Sequence, residues 1–312
     1  MSETIDFNRR FGGVARLYGD AGLVKLQASH IVVVGIGGVG SWAVEALVRN
    51  AVGTISLIDL DNIAESNVNR QIHALDGEFG KAKVTAMRER ILRINPACNV
   101  HELEDFITQE NVNDALGANV HAGCRLVIID ATDDVKAKIA MADFCKASNI
   151  ALVMAGAAGG RLDPTRIQTA DLSVVTGDKL LAKVRHQLRR DYDFPKASNA
   201  KKSAKFGITC VYSDEPTLMP NAADTEVCAL EKSDNIVNDA LQANTSKAAT
   251  ETKNPRAITG LNCAGYGSSV CVTAPMGFAL AQLAINLMIA WTSSLQNSHY
   301  LCDKTYHYFS NI

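Results

Sequence analysis

Residues 59–73 read DLDNIAESNVNRQIH, a crowd of carboxylates, amides and cations just past a glycine-rich turn. That turn is GIGGVG, with Gly35, Gly37, Gly38 and Gly40. Its G-x-G-x-x-G spacing suits a tight strand-to-helix turn whose amides face a phosphate at a helix N-terminus. Asp59, 24 positions after Gly35, stands where a carboxylate accepts hydrogen bonds from ribose hydroxyls. A nicotinamide dinucleotide would need little more. The additional groups suit a triphosphate whose charge must be drawn off as pyrophosphate leaves. Arg70 and Lys83 supply cations, and Asp61, Asn67 and Gln71 supply polar contacts. Asp133 and Asp134, just past RLVIID, offer carboxylate oxygens to Mg2+. Each group alone reads equally well as a surface ion pair or a helix cap. Their spread over three loops favours ATP.

Bringing those loops together requires a particular frame. HIVVVG (30–35), TISLIDLD (54–61), RLVIID (125–130) and IALVMAG (150–156) are short apolar runs of the kind buried in parallel strands. GVGSWAVEALVRNAV, GKAKVTAMRERILRINP and DVKAKIAMADFCKAS separate them with helical spacing. The alternation predicts an α/β, Rossmann-like, doubly wound and mostly parallel sheet. Ligands then bind beyond the carboxyl ends of the strands, where residues 35–40, 59–73 and 130–134 fall. Farther on, the pattern predicts a strand in 161–173 with a turn at Asp163-Pro164, a helix over 178–190, a strand in 206–213 and a long apolar helix in 270–291. Residues 1–156 form the ATP-binding core in this reading, and 157–312 complete the same fold. The stretch 214–260 is rich in Asn, Asp, Thr, Ala and Lys, which predicts a flexible insertion.

The 312-residue chain has ordinary apolar (47%) and charged (21%) content, and its net charge of −2 gives no overall attraction to a polyanion. Nucleic acid would have to be gripped by a local patch. Residues 179–205 supply one, with Lys179, Lys183, Arg185, Arg189, Arg190, Lys196, Lys201, Lys202 and Lys205 against Asp191 and Asp193. Tyr192 and Phe194 in that stretch are candidates for stacking on bases. Eight cysteines form no C-x-x-C, so a structural zinc has no sequence support. The polar start MSETIDFNRR carries no secretory pattern, which makes a reduced, cytoplasmic setting the expectation. The apolar run 270–291 approaches the length of a membrane span, but Pro275, Gln282 and Asn286 interrupt it. A buried or interface helix is favoured over membrane association.

GIGGVG, DLDNIAESNVNRQ, GKAK and DATDD together resemble the adenylation core of the ubiquitin-activating superfamily, including its bacterial members that adenylate sulfur-carrier proteins. The resemblance implies that Asp59 holds ribose, that Asn67, Arg70 and Lys83 meet phosphates, and that Asp133 takes Mg2+. It also implies a homodimer in which an arginine from the partner's N-terminal region completes the site, with Arg16 in FGGVARLYG as the candidate. Carrier-activating bacterial members usually have two C-x-x-C zinc pairs, which this chain lacks. Its later segments, GGRLDPTRIQTADLS, KLLAKVRHQLRRDY, FGITCVYSDEP, VCALE and GYGSSVCVTAPMGFALA, resemble the branch that dehydrates threonylcarbamoyladenosine in tRNA. All but about residues 231–256 share in this likeness.

What that branch implies is a tRNA substrate carrying threonylcarbamoyladenosine beside the anticodon, with ATP, Mg2+ and a monovalent cation as cofactors. ATP adenylates the threonine carboxylate, and a ureido group of the same modification closes a ring. Cys263, in LNCAGYGSS, matches a candidate acyl-accepting position; a small residue in a glycine-rich turn is the plainer reading, and no neighbouring His or Lys in sequence activates it. Cys210 and Cys228 are expected to pack in strands. A cysteine desulfurase's sulfur-acceptor protein is a further expected partner. The competing readings are an activating enzyme for a small sulfur-carrier protein and a non-catalytic nucleotide-binding module.

Overall fold

The computed structural model describes residues 6–120, 125–196, 204–218 and 266–290. The expected insertion from residue 219 onward, together with Cys228, Cys263, Lys201 and Lys202, lies outside them. Seven strands form one sheet: β1 (Ser29–Val34), β2 (Thr54–Ile58), β3 (Asn99–Leu103), β4 (Arg125–Asp130), β5 (Ala151–Ala155), β6 (Ile167–Asp171) and β7 (Thr209–Ser213). Their order is β3-β2-β1-β4-β5-β7-β6, parallel throughout except for β6, which runs antiparallel to β7. The order reverses at the β1/β4 boundary, which opens a crevice at the carboxyl ends of those two strands.

The helices are α1 (Phe7–Gln27), α2 (Gly40–Arg49), α3 (Lys83–Ile94), α4 (Val112–Gly117), α5 (Val135–Ser148), α6 (Lys179–Asp191) and α7 (Val270–Ala290). Strand alternation divides the core between two faces. Ile31, Val33, Val127, Ile129 and Val153 join α2, α3 and α7 on one side. Val32, Val34, Ile128, Leu152 and Met154 join α4, α5 and α6 on the other. A strand covered on both faces needs apolar residues at every position, which is why β1 reads as an unbroken run.

The long apolar helix is part of that core. α7 meets the length and composition of a membrane span, yet half of its most apolar window is buried inside the fold. Val272, Met276, Leu280, Ala284, Ile285 and Met288 pack against the sheet and α2. The backbones of α2 and α7 come very close: a Cβ at Gly277 would run into Val39 O and lie 2.9 Å from Ala43 N. Tyr18 Oη donates to Gln282 Oε1 at 3.2 Å, fastening α1 across the same helix. α1, the edge strand β3 and the six-residue α4 had no strong sequence signal. The residues of β3 are mostly exposed, so no apolar alternation marks them.

Candidate functional site: a nucleotide crevice at the strand ends

The glycine turn leaves β1 with Gly35 at φ +86°, where a side chain would also press on Ala131 of the neighbouring strand end at 2.9 Å. A Cβ at Gly40 would collide with Gly35 O, so the helix can start this close to the strand only with glycine there. Asp59, at the end of β2, is 8% exposed and latched to the turn: its Oδ2 accepts from Ile36 N at 2.6 Å and its Oδ1 from Asp61 N at 2.9 Å. Burial raises its pKa, against the opposing pull of Lys83 and the backbone N–H groups. Lys83 begins α3 and carries its ammonium to 2.6 Å from Asp61 Oδ2 and 3.7 Å from Asp59 Oδ1. The lysine is nearly buried, while Asp61 is half-exposed.

Arg70 occupies the loop between β2 and α3. Its carbonyl accepts from Trp42 Nε1 at 2.9 Å, which holds the loop against α2, and its Nη1 donates to Ser66 O and Asn69 Oδ1, both at 2.8 Å. Burial lowers its pKa, and the charge of Asp133 opposes that shift. The three acids at the end of β4 and just beyond it have different partners. Asp130 is fully buried, accepts from Thr132 N and Oγ1 at 3.0 and 2.7 Å, and lies 3.1 Å from the Lys138 ammonium. Asp134 is exposed and caps α5 by accepting from Lys136 N at 2.8 Å. Asp133 is the acid paired electrostatically with Arg70, and its hard oxygen donors suit Mg2+. Among the described residues no three His, Cys, Asp or Glu gather as a metal cluster. Mg2+ bound through one or two carboxylates, phosphates and water does not need one.

Several expected residues shape the site from beneath. Asn67 is nearly buried and turns its Oδ1 to Ala64 N at 3.1 Å, setting the bend of the loop. Gln71 is buried under Gly37 with Oε1 unpartnered. Neither ring nitrogen of the buried His73 has a partner; burial, aided by Lys83 and Arg90, pushes its pKa down to about 3. Arg16 lies exposed on α1, its guanidinium 3.6 Å from the Cβ position of Gly12 on its own helix. Two exposed apolar residues near these strand ends were not foreseen. Leu60 and Phe106 stand 43% and 47% exposed beyond the ends of β2 and β3. The D-L-D sequence, an apolar residue between two acids, was the available signal for Leu60.

The basic stretch is only partly outward. Arg185 donates to Leu172 O at 3.3 Å and to Val175 O, and Arg189 donates to Ser173 O and Pro195 O at 3.2 and 3.1 Å. Both arginines hold the loop before α6. Arg190 pairs with the adjacent Asp191 at 2.7 Å. Lys179, Lys183, His186 and Lys196 are exposed. Phe194 is buried against Phe206, ring centroids 4.9 Å apart, and is not available for stacking. Cys210 is buried in β7, where desolvation raises its pKa well above the ordinary value.

A glycine turn at the switch point, with a buried acid latched to it and a lysine beside that acid, is the frame of an ATP-using, adenylate-forming α/β protein. The chain belongs to the ThiF family, whose model matches residues 9–311. It is 40% identical over 290 residues to the tRNA threonylcarbamoyladenosine dehydratase of Haemophilus influenzae, covering 93% of this chain and 97% of that one. To the Escherichia coli tRNA threonylcarbamoyladenosine dehydratase it is 41% identical over 285 residues, covering 91% and 95%. The crystal structure of the Escherichia coli dehydratase, TcdA, in complex with ATP superposes with a TM-score of 0.72 at 37% identity over 93% of this chain and 98% of that one.

Proposed function

We propose that this protein is an ATP-dependent tRNA threonylcarbamoyladenosine dehydratase. The observation carrying the proposal is the Asp59 carboxylate latched to the glycine turn with the Lys83 ammonium beside it, in a chain related along nearly its full length to enzymes of that name. Asp59 receives the ribose, and the amides of residues 37–40 and the start of α2 receive phosphate. Leu60 and Phe106 flank the base. Asp133 would hold Mg2+, which supplies charge neutralisation of the phosphates when bound. Arg70 and Lys83 are placed to stabilise charge gathering on the departing pyrophosphate.

A carboxylate oxygen of the substrate attacks the α-phosphorus, the bond to the β-phosphate breaks, and pyrophosphate leaves with the electron pair. A ureido nitrogen of the same modification then attacks the acyl carbon. AMP leaves, the nitrogen loses its proton to solvent, and the ring closes. The tethered nucleophile gains from proximity. The exposed lysines of α6 and Lys196 supply phosphate contacts to tRNA. Arg16, exposed on α1, suits donation to the site of a second copy in a homodimer. A cytoplasmic setting belongs to this reading, and the burial of α7 in the core is compatible with it.

The test is mass spectrometry of nucleosides after incubating threonylcarbamoylated tRNA with ATP and the protein. A nucleoside lighter by one water supports the proposal. Unchanged tRNA, with pyrophosphate exchange stimulated by a small carrier protein, would replace it with carrier activation.

A further inference from the structure

Asn69 divides its polar groups between two parts of the molecule. Its side-chain Oδ1 accepts from Arg70 Nη1 at 2.8 Å. Its Nδ2 donates to Ser268 O at 2.8 Å, and its own carbonyl accepts from Val270 N at 3.2 Å. Residues 266–269 lead into α7, and their other end is fastened to the turn after β5. Gly160 N donates to Gly267 O at 2.8 Å, and the Tyr266 Cβ lies 3.2 Å from the Cβ position of Gly159. These four residues therefore form a strap from the end of β5 to the loop after β2. The strands whose ends they bridge enclose the β1/β4 switch point, so the strap lies along the rim of the nucleotide crevice. Within α7, Thr273 follows the strap by one turn and rests its methyl 3.4 Å from the Cβ position of Gly38 in the glycine turn.

We propose that Asn69 is a positioning residue that holds this strap over the adenylated carboxylate, so that the tethered nitrogen rather than water reaches the acyl carbon. This rests on the dehydratase reading above. An acyl adenylate has two fates. Attack by the ureido nitrogen gives the ring and AMP; attack by water gives back the carboxylate, AMP and a proton. Excluding water from a reactive intermediate is work for a wall fixed at both ends. Asn69 fixes one end with the same amide that orients Arg70, so the phosphate-binding arginine and the wall share a single anchor. The side chain is exposed, and replacing it leaves the core untouched.

The experiment measures AMP released per cyclic nucleoside formed, with threonylcarbamoylated tRNA and ATP, for the wild type, Asn69→Ala and Asn69→Asp. Asn69→Asp keeps an acceptor for Arg70 and removes the donor to Ser268. The proposal expects one AMP per ring in the wild type and a ratio raised about fivefold or more in both variants, with the KM for ATP within about twofold of the wild type in Asn69→Asp, which keeps the Arg70 contact. Hydrogen exchange at residues 266–270 should quicken in both. A one-to-one ratio retained in both variants, even at lower overall rates, overturns the proposal and leaves Asn69 a stability contact. Uncoupling in Asn69→Ala alone also overturns it, because the effect then runs through Arg70. Absence of both AMP and ring in the wild type overturns the dehydratase reading itself. The exchange measurement still reports separately whether Asn69 tethers the strap.

Discussion

Lys83 Nζ sits 2.6 Å from Asp61 and 3.7 Å from Asp59, one buried ammonium between the acid latched to the glycine turn and its neighbour. Substituting methionine for Lys83 keeps the stem and removes the charge, leaving Asp59 desolvated beside a second carboxylate. The expected outcome is a fall in kcat/KM of about 10²–10³-fold, the usual scale for loss of one electrostatic contact to transition-state charge. Steady-state kinetics with circular dichroism as a check on folding would test it. A loss under threefold would remove Lys83 from the phosphate site.

Asp59 gives the site a pH signature. Burial is the largest influence on it and raises its pKa. The folded protein therefore keeps this proton to higher pH than the unfolded chain does. The group's contribution to stability is complete below the ordinary carboxylate value and is lost as pH rises through the raised one. Nucleotide binding runs the other way, since ribose hydroxyls need the ionised acceptor. Calorimetric titration with ATP should show affinity weakening on acidification at a higher pH than an unperturbed aspartate would cause. In Asp59→Asn that acid limb should vanish, at lower affinity throughout.

His73 is held neutral, its pKa driven to about 3 by burial first and by Lys83 and Arg90 next. The unfolded chain takes up that proton near pH 6.5 and the folded protein does not, so stability drops as pH falls from about 7 toward 3. This one site contributes a slope of ~1.4 kcal/mol per pH unit within that window. Urea unfolding of His73→Phe as a function of pH should show the slope reduced by about one proton.

The two kinds of basic residue on and around α6 should separate experimentally. Arg185→Ala removes charged hydrogen bonds to Leu172 O and Val175 O and should cost about 1.5–3 kcal/mol of stability while leaving the salt dependence of tRNA binding alone. Lys183→Ala should barely change the melting temperature. It should instead lower the slope of log K against log salt by about one phosphate contact. Thermal melting measures the stability effects, and salt titration of tRNA binding measures the phosphate contacts.

The frame and the site differed in how far the sequence revealed them. β1, β2, β4 and β5 were legible because burial on both faces leaves no polar position to confuse the pattern. Gly35, Gly40 and Asp59 were legible because their spacing is set by backbone geometry within one strand–turn–helix–strand unit. Arg185 and Arg189 misled, since a list of charges does not say which guanidinium a nearby carbonyl will consume. Asp134 looked like a second metal ligand and is a helix cap, two roles with the same residue type at the same loop position. Asn69 carried no signal at all, because its partners at Ser268 and Val270 lie about 200 positions away in the chain.

The packing of α7 on α2 reaches the site indirectly. Gly277→Ala would press a methyl onto Val39 O and the Ala43 amide, at the first turn of the helix that follows the glycine turn. Overpacking of this kind costs about 1–3 kcal/mol. ATP affinity should weaken along with thermal stability, measured by melting with and without nucleotide.

The central claim is that the substrate's carboxylate oxygen attacks the α-phosphorus of ATP. Threonylcarbamoylated tRNA labelled with heavy oxygen in the threonine carboxylate reports on this directly, through the mass of the released nucleotide. One heavy oxygen per AMP in step with ring formation is the expected result. Release of ADP, with the label in inorganic phosphate, would contradict adenylation and place the attack on the γ-phosphorus instead.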